Sequence, residues 1–455
     1  MNKKLIIVMV ALGIGMGLLC GSLGPMAALG FMALIAMAAI TLLNYDVGVY
    51  VLAAYGVMDT FIRAYVGALA SVWDELFLIA LVFLWALKWI IARKEDNFKM
   101  SPVDIPLIIF IAVMLVCLIL NSTFIAVGIE GFRAIVQYML WYFIVLQLVK
   151  GESSAKGITL VFVLIVGLLS LHGVYQYAIG VEMPAGWVDQ AEAGVRTRVF
   201  SIFTSPNIFG SLLAMAIPMA ISLAFVAKKN SSKLLFALMA LSMAGALVFT
   251  FSRGAWIGFA VSMVVYILLK DKRLVIPFIL LGIIVIIAVP SVGDRIGYML
   301  SSDYIESSLR GGRLIRWLTG LEILSNNKLL GVGLGHFGGA VAMNNNLAYL
   351  VGYVWTKTFY MDNYMLKTAV ESGLIGFGAF AMLIYSVIIN SIRTIRLADT
   401  KISKELTIGI LSGLCAVIIH NFTENVFEVP MMTSLFWMFV AVIMGVWFEL
   451  DKKFI

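Results

Sequence analysis

"SPNIFGSLLAMAIPMAISLAFVAKKNSSKLLFALMALSMAGALVFTFSRGAWIGFAVSMVVYILLKDKR", residues 205–273, holds three apolar runs separated by two short polar breaks. The first break carries Lys228, Lys229 and Lys233, and the stretch closes on Lys270, Lys272 and Arg273. The second break is only Ser252-Arg253-Gly254. Each run is close to the roughly 17–25 mainly apolar residues that cross a bilayer as a helix. Three successive crossings place both lysine clusters on one side and Arg253 on the other. Lysine-rich connections mark the cytoplasmic side.

The same alternation extends over the whole chain. Lys3, Lys4, Arg93, Lys94, Lys99, Lys150, Lys156, Arg393, Arg396, Lys401, Lys404, Lys452 and Lys453 join the inner set. Arg63, Arg133, Arg196, Arg198, Arg253, Arg295, Arg310, Arg313 and Arg316, with Lys328, Lys357 and Lys367, form the outer set. The outer face is therefore arginine-rich where positive charge is normally scarce. The planar guanidinium fork suits phosphate oxygens, so a phosphate-bearing substrate handled outside the cytoplasm is expected. The candidate spans are 5–21, 24–43, 47–63, 72–92, 103–121, 131–149, 157–178, 205–227, 233–251, 254–269, 274–290, 373–393, 405–421 and 431–449. Both termini then lie inside. Asp59 and Arg63 make 47–63 the weakest span, and if it and one neighbour are re-entrant the count falls to about twelve. The run after Lys3-Lys4 lacks a small-residue cleavage site and is expected to stay as a first helix.

The fold class expected is an all-α polytopic membrane protein of about 12–14 transmembrane helices with a large helical extracytoplasmic loop. Of the 455 residues, 62% are apolar and 13% charged, against about 25% charged in soluble domains. The net charge of +7 follows from the cytoplasmic lysines, so no nucleic-acid partner is expected. Cys20, Cys117 and Cys415 lie in or beside apolar runs without metal-ligand spacing and read as packing residues. His172, His336 and His420 also lack metal spacing.

Polar chemistry concentrates in a few strings. Arg253 between two spans is either a functional charge facing a water-filled site or a snorkelling helix end, with Ser252 beside it as a hydroxyl donor. "RGGRLIRW" sets Arg310, Arg313 and Arg316 three apart, on nearly one helical face. They either converge on one anion or form a basic stripe for lipid headgroups. The following pattern of Leu314, Trp317, Leu318, Leu321 and Ile323 predicts an amphipathic helix on the membrane surface or over a cavity. It lies in the long outer segment 291–372; residues 179–204, with Glu182, Asp189 and Glu192, form a second. "LLGVGLGHFGG" lacks a Walker lysine and reads as a close-packed turn containing His336. Asp362 either takes a proton from a sugar hydroxyl or caps the next helix, with Asn363 beside it and Glu371 at the lip of the span. Ser205-Pro206-Asn207 is both a helix start and a polar site element. "HNFTENVFEVP" brings His420, Asn421, Glu424, Asn425 and Glu428 to the same outer edge, where they are expected to line the same cavity.

These strings in this order resemble the O-antigen ligase and polymerase family of bacterial integral-membrane glycan enzymes. The resemblance runs over roughly residues 195–385 through "FTSPNIFG", "FSRGAWIG", "GGRLIRW", "LLGVGLGHFG" and "DNYMLKTAVESGLIG". It divides the chain into N-terminal helices, 1–194, and a ligase/polymerase-like region, 195–455. It implies an undecaprenyl-pyrophosphate-linked oligosaccharide as donor, no metal and no nucleotide cofactor. Arg253 and Arg313 are then assigned to the pyrophosphate. Ligases of the family usually carry His-Asn where this chain has Asp362-Asn363, so the chain looks more like a polymerase, with Asp362 placed to activate the acceptor. The expected catalytic residues are Asp362, Arg253 and Arg313. The expected substrate-binding residues are Arg316, Arg310, Asn207, Ser252, Asn363, Glu371 and His336.

The reaction implied is metal-independent, inverting glycosyl transfer to a hydroxyl of a second lipid-linked repeat at the outer face of the plasma membrane, alongside membrane lipid, a flippase and a chain-length regulator. A ligase acting on a lipid core or protein uses the same donor chemistry. A small-anion transporter is the reading from another class, although paired broken half-repeats are not visible.

Overall fold

The computed structural model describes residues 53–65, 73–91, 98–182, 197–346, 348–350, 354–356 and 360–452, with Tyr50 and without single positions 204, 289 and 311. The expected spans 5–21 and 24–43 and much of 47–63 lie outside the described residues, as do Lys3, Lys4, Arg93, Lys94, Asp189, Glu192, Arg196 and Lys357. The described chain forms sixteen helices. They are α1 Tyr55–Tyr65, α2 Trp73–Ile91, α3 Asp104–Asn121, α4 Ile125–Leu148, α5 Gly151–Ile179, α6 Pro206–Val226, α7 Asn230–Phe249 and α8 Arg253–Lys270. Then follow α9 Val275–Ala288, α10 Pro290–Met299, α11 Ser302–Arg310, α12 Arg313–Asn326, α13 Ala340–Asn344, α14 Tyr364–Leu397, α15 Lys401–His420 and α16 Pro430–Asp451. A small antiparallel hairpin, Ala348–Leu350 with Val354–Thr356, interrupts the helical pattern.

Among the described residues, α3 to α8 and α14 to α16 are long and apolar enough to cross a membrane. The protein is an all-α polytopic membrane protein. The expected span 274–290 is instead broken: the apolar stretch Lys272–Ala288 meets Val292–Met299 at 99°. Pro290 lacks an N–H and fits the first position of a new helix. Helix starts follow local chemistry elsewhere too. The Ser205 hydroxyl accepts from Ile208 N ahead of Pro206, and Thr400 caps α15, as short polar side chains do at N-caps.

Helices α6, α15 and α16 form the centre, and α16 is buried almost all round. Apolar lipid offers no hydrophobic gain for joining helices, so small residues that let backbones touch matter most. Two GxxxG pairs do this on either side of α15. Gly409 and Gly413 of α15 lie against the Pro218 and Met215 carbonyls of α6, and Gly258 of α8 lies so close to α15 that an added Cβ would sit 2.7 Å from the Ala416 carbonyl oxygen. Gly254, one turn earlier, faces His420 and Thr423.

The described members of the lysine and arginine sets lie toward opposite ends of this bundle. At one end Lys270 pairs with Glu405, Ser403 donates to Glu152 at 2.6 Å, and the Gln147 side-chain amide Nε2 donates to the Lys99 carbonyl at 2.8 Å. At the other end α8, α12 and the segments before α14 and α16 meet.

Candidate active site

That arginine end encloses a cavity of about 610 Å³. Its wall includes Arg198, Arg253, Arg295, Arg313 and Arg316 against only two carboxylates, Asp362 and Glu424. The cluster is drawn from distant parts of the chain by four pieces of local structure.

The first is the tight α7–α8 turn. Phe251 adopts a left-handed φ of 50°, which is costly for a bulky residue. The turn is held by Ser252 N donating to Thr250 Oγ1 at 3.2 Å and Trp256 Nε1 donating to the Leu247 carbonyl at 2.9 Å. Arg253 thereby becomes the first residue of α8, its guanidinium 5.0 Å from the centre of the Tyr304 ring. The Arg295 guanidinium lies over Phe251 at 5.8 Å.

The second is α12. One helix, α11, ends at Arg310 and the next, α12, starts at Arg313 with Gly312 as its N-cap, so Arg313 and Arg316 share one helix while Arg310 belongs to the end of another. The expected convergence of all three arginines therefore does not occur. Arg310 is exposed, pairs with Glu306 four residues earlier and lies outside the cavity. Ser252 and Gly312, the N-caps of α8 and α12, make no side-chain cap bond and both line the cavity. Two helix N-termini thus open on one space, and such termini attract anions.

The third is the approach to α14. Asn363 caps that helix by accepting from Leu366 N at 3.0 Å, so capping is the role of Asn363 and not of Asp362. Asp362 is 5% exposed. Its Oδ2 accepts from Arg313 Nε at 2.6 Å, its Oδ1 accepts from Trp317 Nε1 at 3.3 Å, and Arg316 Nη1 lies 3.9 Å from Oδ2. Burial opposes the charge on Arg313, but Asp362 and Glu424 outweigh it and hold the guanidinium firmly protonated.

The fourth is the α15–α16 connection, which presents Glu424. Asn207 Nδ2 donates to Glu424 Oε2 at 2.5 Å, and Arg198 Nη2 donates to Asn207 Oδ1 at 2.9 Å. Arg198 Nε also donates to the Thr250 carbonyl at 2.9 Å, tying this chain to the α7–α8 turn. Burial pushes the Glu424 carboxyl above its ordinary range, while Arg313 and the Asn207 bond pull it back. Burial, then Glu428 and Glu424, push the Tyr360 phenol up, so it stays a hydroxyl that can donate.

The structure brings together six of the residues expected from sequence: Asn207, Ser252, Arg253, Arg313, Arg316 and Asp362. Asn363, Glu371 and His336 are not in the wall. His336 is fully buried, with Nε2 accepting from Phe124 N at 3.3 Å and its ring stacked on Phe124. Glu371 is 1% exposed; its Oε1 accepts from Phe337 N at 3.1 Å and its Oε2 from Lys367 Nζ at 2.8 Å. Lys367 also reaches Glu428 at 3.1 Å. These groups staple the glycine-rich turn behind the site. Gly331, Gly333, Gly335 and Gly338 all have positive φ, and Val332 N and Gly333 N donate to the Val370 and Glu371 carbonyls at 2.9 and 3.0 Å. Arg198 and Arg295 were not among the expected site residues. Of the polar string expected to line the cavity, Glu424 does so, whereas His420, Asn421, Asn425 and Glu428 are not in its wall. Among the described residues no group of three His, Cys, Asp or Glu side chains is placed to hold a metal ion.

No curated protein matches the chain. A family match covers residues 238–381, under the description O-antigen ligase, and it spans Arg253, Arg295, Arg313, Arg316 and Asp362 but not Arg198, Asn207 or Glu424. The arginine-lined end of this membrane bundle is therefore built largely from the stretch that is similar to the O-antigen ligase family, and the match supports an O-antigen ligase/polymerase assignment.

Proposed function

We propose that the protein transfers glycan from an undecaprenyl-pyrophosphate-linked donor to a hydroxyl of a second lipid-linked repeat, at the outer face of the plasma membrane. The family supports glycan transfer in O-antigen biosynthesis. The observation that carries the finer reading is five arginines and two open helix N-termini around one cavity. Such a site suits a diphosphate, whose charge grows as it leaves. Preorganised donors aimed at developing charge are the strongest single aid to a reaction in a water-poor site. Arg253, Arg313 and Arg316 take the pyrophosphate in this reading, and Asp362 holds Arg313 and Arg316 in position. Direct displacement by the acceptor hydroxyl inverts the anomeric carbon. Asp362-Asn363, where ligases of the family usually carry His-Asn, favours a polymerase.

Among the described residues, every one in the cavity wall falls within 195–455, which supports that region as the catalytic unit and 1–194 as accessory helices. The lysine clusters at the opposite end favour an outward-facing site. The test is binding of undecaprenyl pyrophosphate to the purified full chain in nanodiscs, together with the ladder of chain lengths made in cells. Wild type should bind the pyrophosphate in preference to undecaprenol, and Arg253→Lys at normal protein level should lose the ladder. No preference for pyrophosphate, or a normal ladder from Arg253→Lys, refutes the reading.

A further inference from the structure

The two carboxylates of the cavity are held differently. Asp362 has Arg313 on one oxygen and Trp317 on the other, with Arg316 nearby. Glu424, 7% exposed, receives its hydrogen bonds from neutral amides: Asn207 Nδ2 at 2.5 Å on Oε2 and Asn425 N at 3.3 Å on Oε1. Guanidinium contacts tie the Asp362 oxygens to fixed cations, whereas neutral amide donors hold the Glu424 charge less strongly than a direct ion pair would. We propose that Glu424, rather than Asp362, accepts the proton of the attacking hydroxyl, with Arg198 and Asn207 positioning it; the assignment rests on the glycosyl-transfer reading above.

The step balances simply. The acceptor oxygen bonds to the anomeric carbon, and the bond from that carbon to the pyrophosphate oxygen breaks, its electron pair leaving with the pyrophosphate. The hydroxyl proton passes to the Glu424 carboxylate, which becomes a carboxylic acid. Arg198 buttresses Asn207 at 2.9 Å, so the Asn207 amide is fixed with its Nδ2 toward Glu424. Arg253, Arg295, Arg313, Arg316, Asp362 and Tyr360 share the cavity with Glu424. Arg313 opposes proton uptake by Glu424, whereas burial and the Asp362 charge favour it, and burial is the largest influence. The base is therefore active above an acidic limb displaced upward from the ordinary carboxylate range: turnover falls as pH drops through it.

The experiment uses the full chain in nanodiscs, lipid-linked glycan extracted from the host membrane as donor and acceptor, and undecaprenyl pyrophosphate as the binding probe. Glu424→Gln keeps the shape and an acceptor for Asn207. It should lower turnover roughly 10²–10⁴-fold, leave binding of the probe within about twofold, and abolish the acidic limb of the remaining activity. Glu424→Asp should restore part of the rate together with the limb. In infrared titration, Glu424→Gln should remove one protonated-carboxyl component that Asp362→Asn keeps. Normal turnover in Glu424→Gln overturns the proposal, as does loss of probe binding in step with turnover, or an acidic limb that survives Glu424→Gln and disappears in Asp362→Asn. A failure confined to Glu424 leaves the glycosyl-transfer reading standing. Absence of probe binding by wild type removes both.

Discussion

Arg313 makes two contributions that substitution can separate. It closes a buried ion pair with Asp362 at 2.6 Å, and it faces the cavity where the leaving group would gain charge. The Arg313 side chain is 29% exposed and that of Asp362 8%. The pair therefore lies between an exposed one, about 0–1 kcal/mol, and a fully buried one whose breakage costs about 3–5 kcal/mol. In Arg313→Ala, Asp362 keeps Trp317 at 3.3 Å and Arg316 at 3.9 Å, which limits the stability loss to about 1–2 kcal/mol. The rate should fall much further. Losing one preorganised donor to developing charge costs about 10²–10³ in turnover, or roughly 3–4 kcal/mol of barrier. Arg313→Lys keeps the charge without the fork, so it should recover most of the stability and little of the rate. Thermal unfolding in one detergent and transfer from extracted lipid-linked glycan measure the two quantities on the same preparation. Full transfer by Arg313→Lys, or a stability loss in Arg313→Ala without a rate loss, refutes this division of roles.

Asp362→Asn should slow transfer about tenfold or more by loosening both guanidiniums, with the acidic limb of the pH profile kept but moved downward as Glu424 loses a neighbouring negative charge; transfer at the wild-type rate would contradict it. Gly258→Ala places a methyl group against the Ala416 carbonyl at 2.7 Å and should destabilise by about 1–3 kcal/mol. Gly245→Ala meets no atom within 4 Å and should be neutral or stabilising by about 0.5–1 kcal/mol in α7, as thermal unfolding of the two variants would reveal. Single cysteines at Asn345 and Asn230, in a chain lacking Cys20, Cys117 and Cys415, should differ in labelling by an impermeant reagent. Only Asn345 should react in intact cells, and equal protection of both overturns the orientation.

Much of this organisation is readable from residue type and spacing. The described members of the lysine and arginine sets do separate to opposite ends, and the short break at Ser252-Arg253-Gly254 follows a tight turn at Thr250-Phe251 and opens the next helix. Arg313 and Arg316 share a face because they lie three apart on one helix. Arg310 fails the same rule because α11 ends there and α12 begins only at Arg313, and spacing has no meaning across a break. His336 and Glu371 look like site residues in sequence, yet four positive-φ glycines fold their segment onto the back of α14, where both serve packing. Glu424 and Arg198 are 226 residues apart and meet through Asn207. No local pattern encodes that meeting, because the α6–α15 contact creates it.

Gly373 marks the point where α14 changes direction, with φ 66° and ψ −173° inside an otherwise helical run. The two turns before it, Tyr364–Ser372, carry Lys367 and Glu371 and follow directly on Asp362, while the long remainder runs through the bundle. Leu374 N donates to the Lys328 carbonyl at 2.8 Å, beside the break, so the amide left over by the interrupted helix holds the loop that leads to the glycine-rich turn. A hinge would leave such groups to water; here they are spent on a joint. The short upper piece is thus splinted to its surroundings like a bracket, and Asp362 at its tip should hold station while lipid-borne cargo comes and goes.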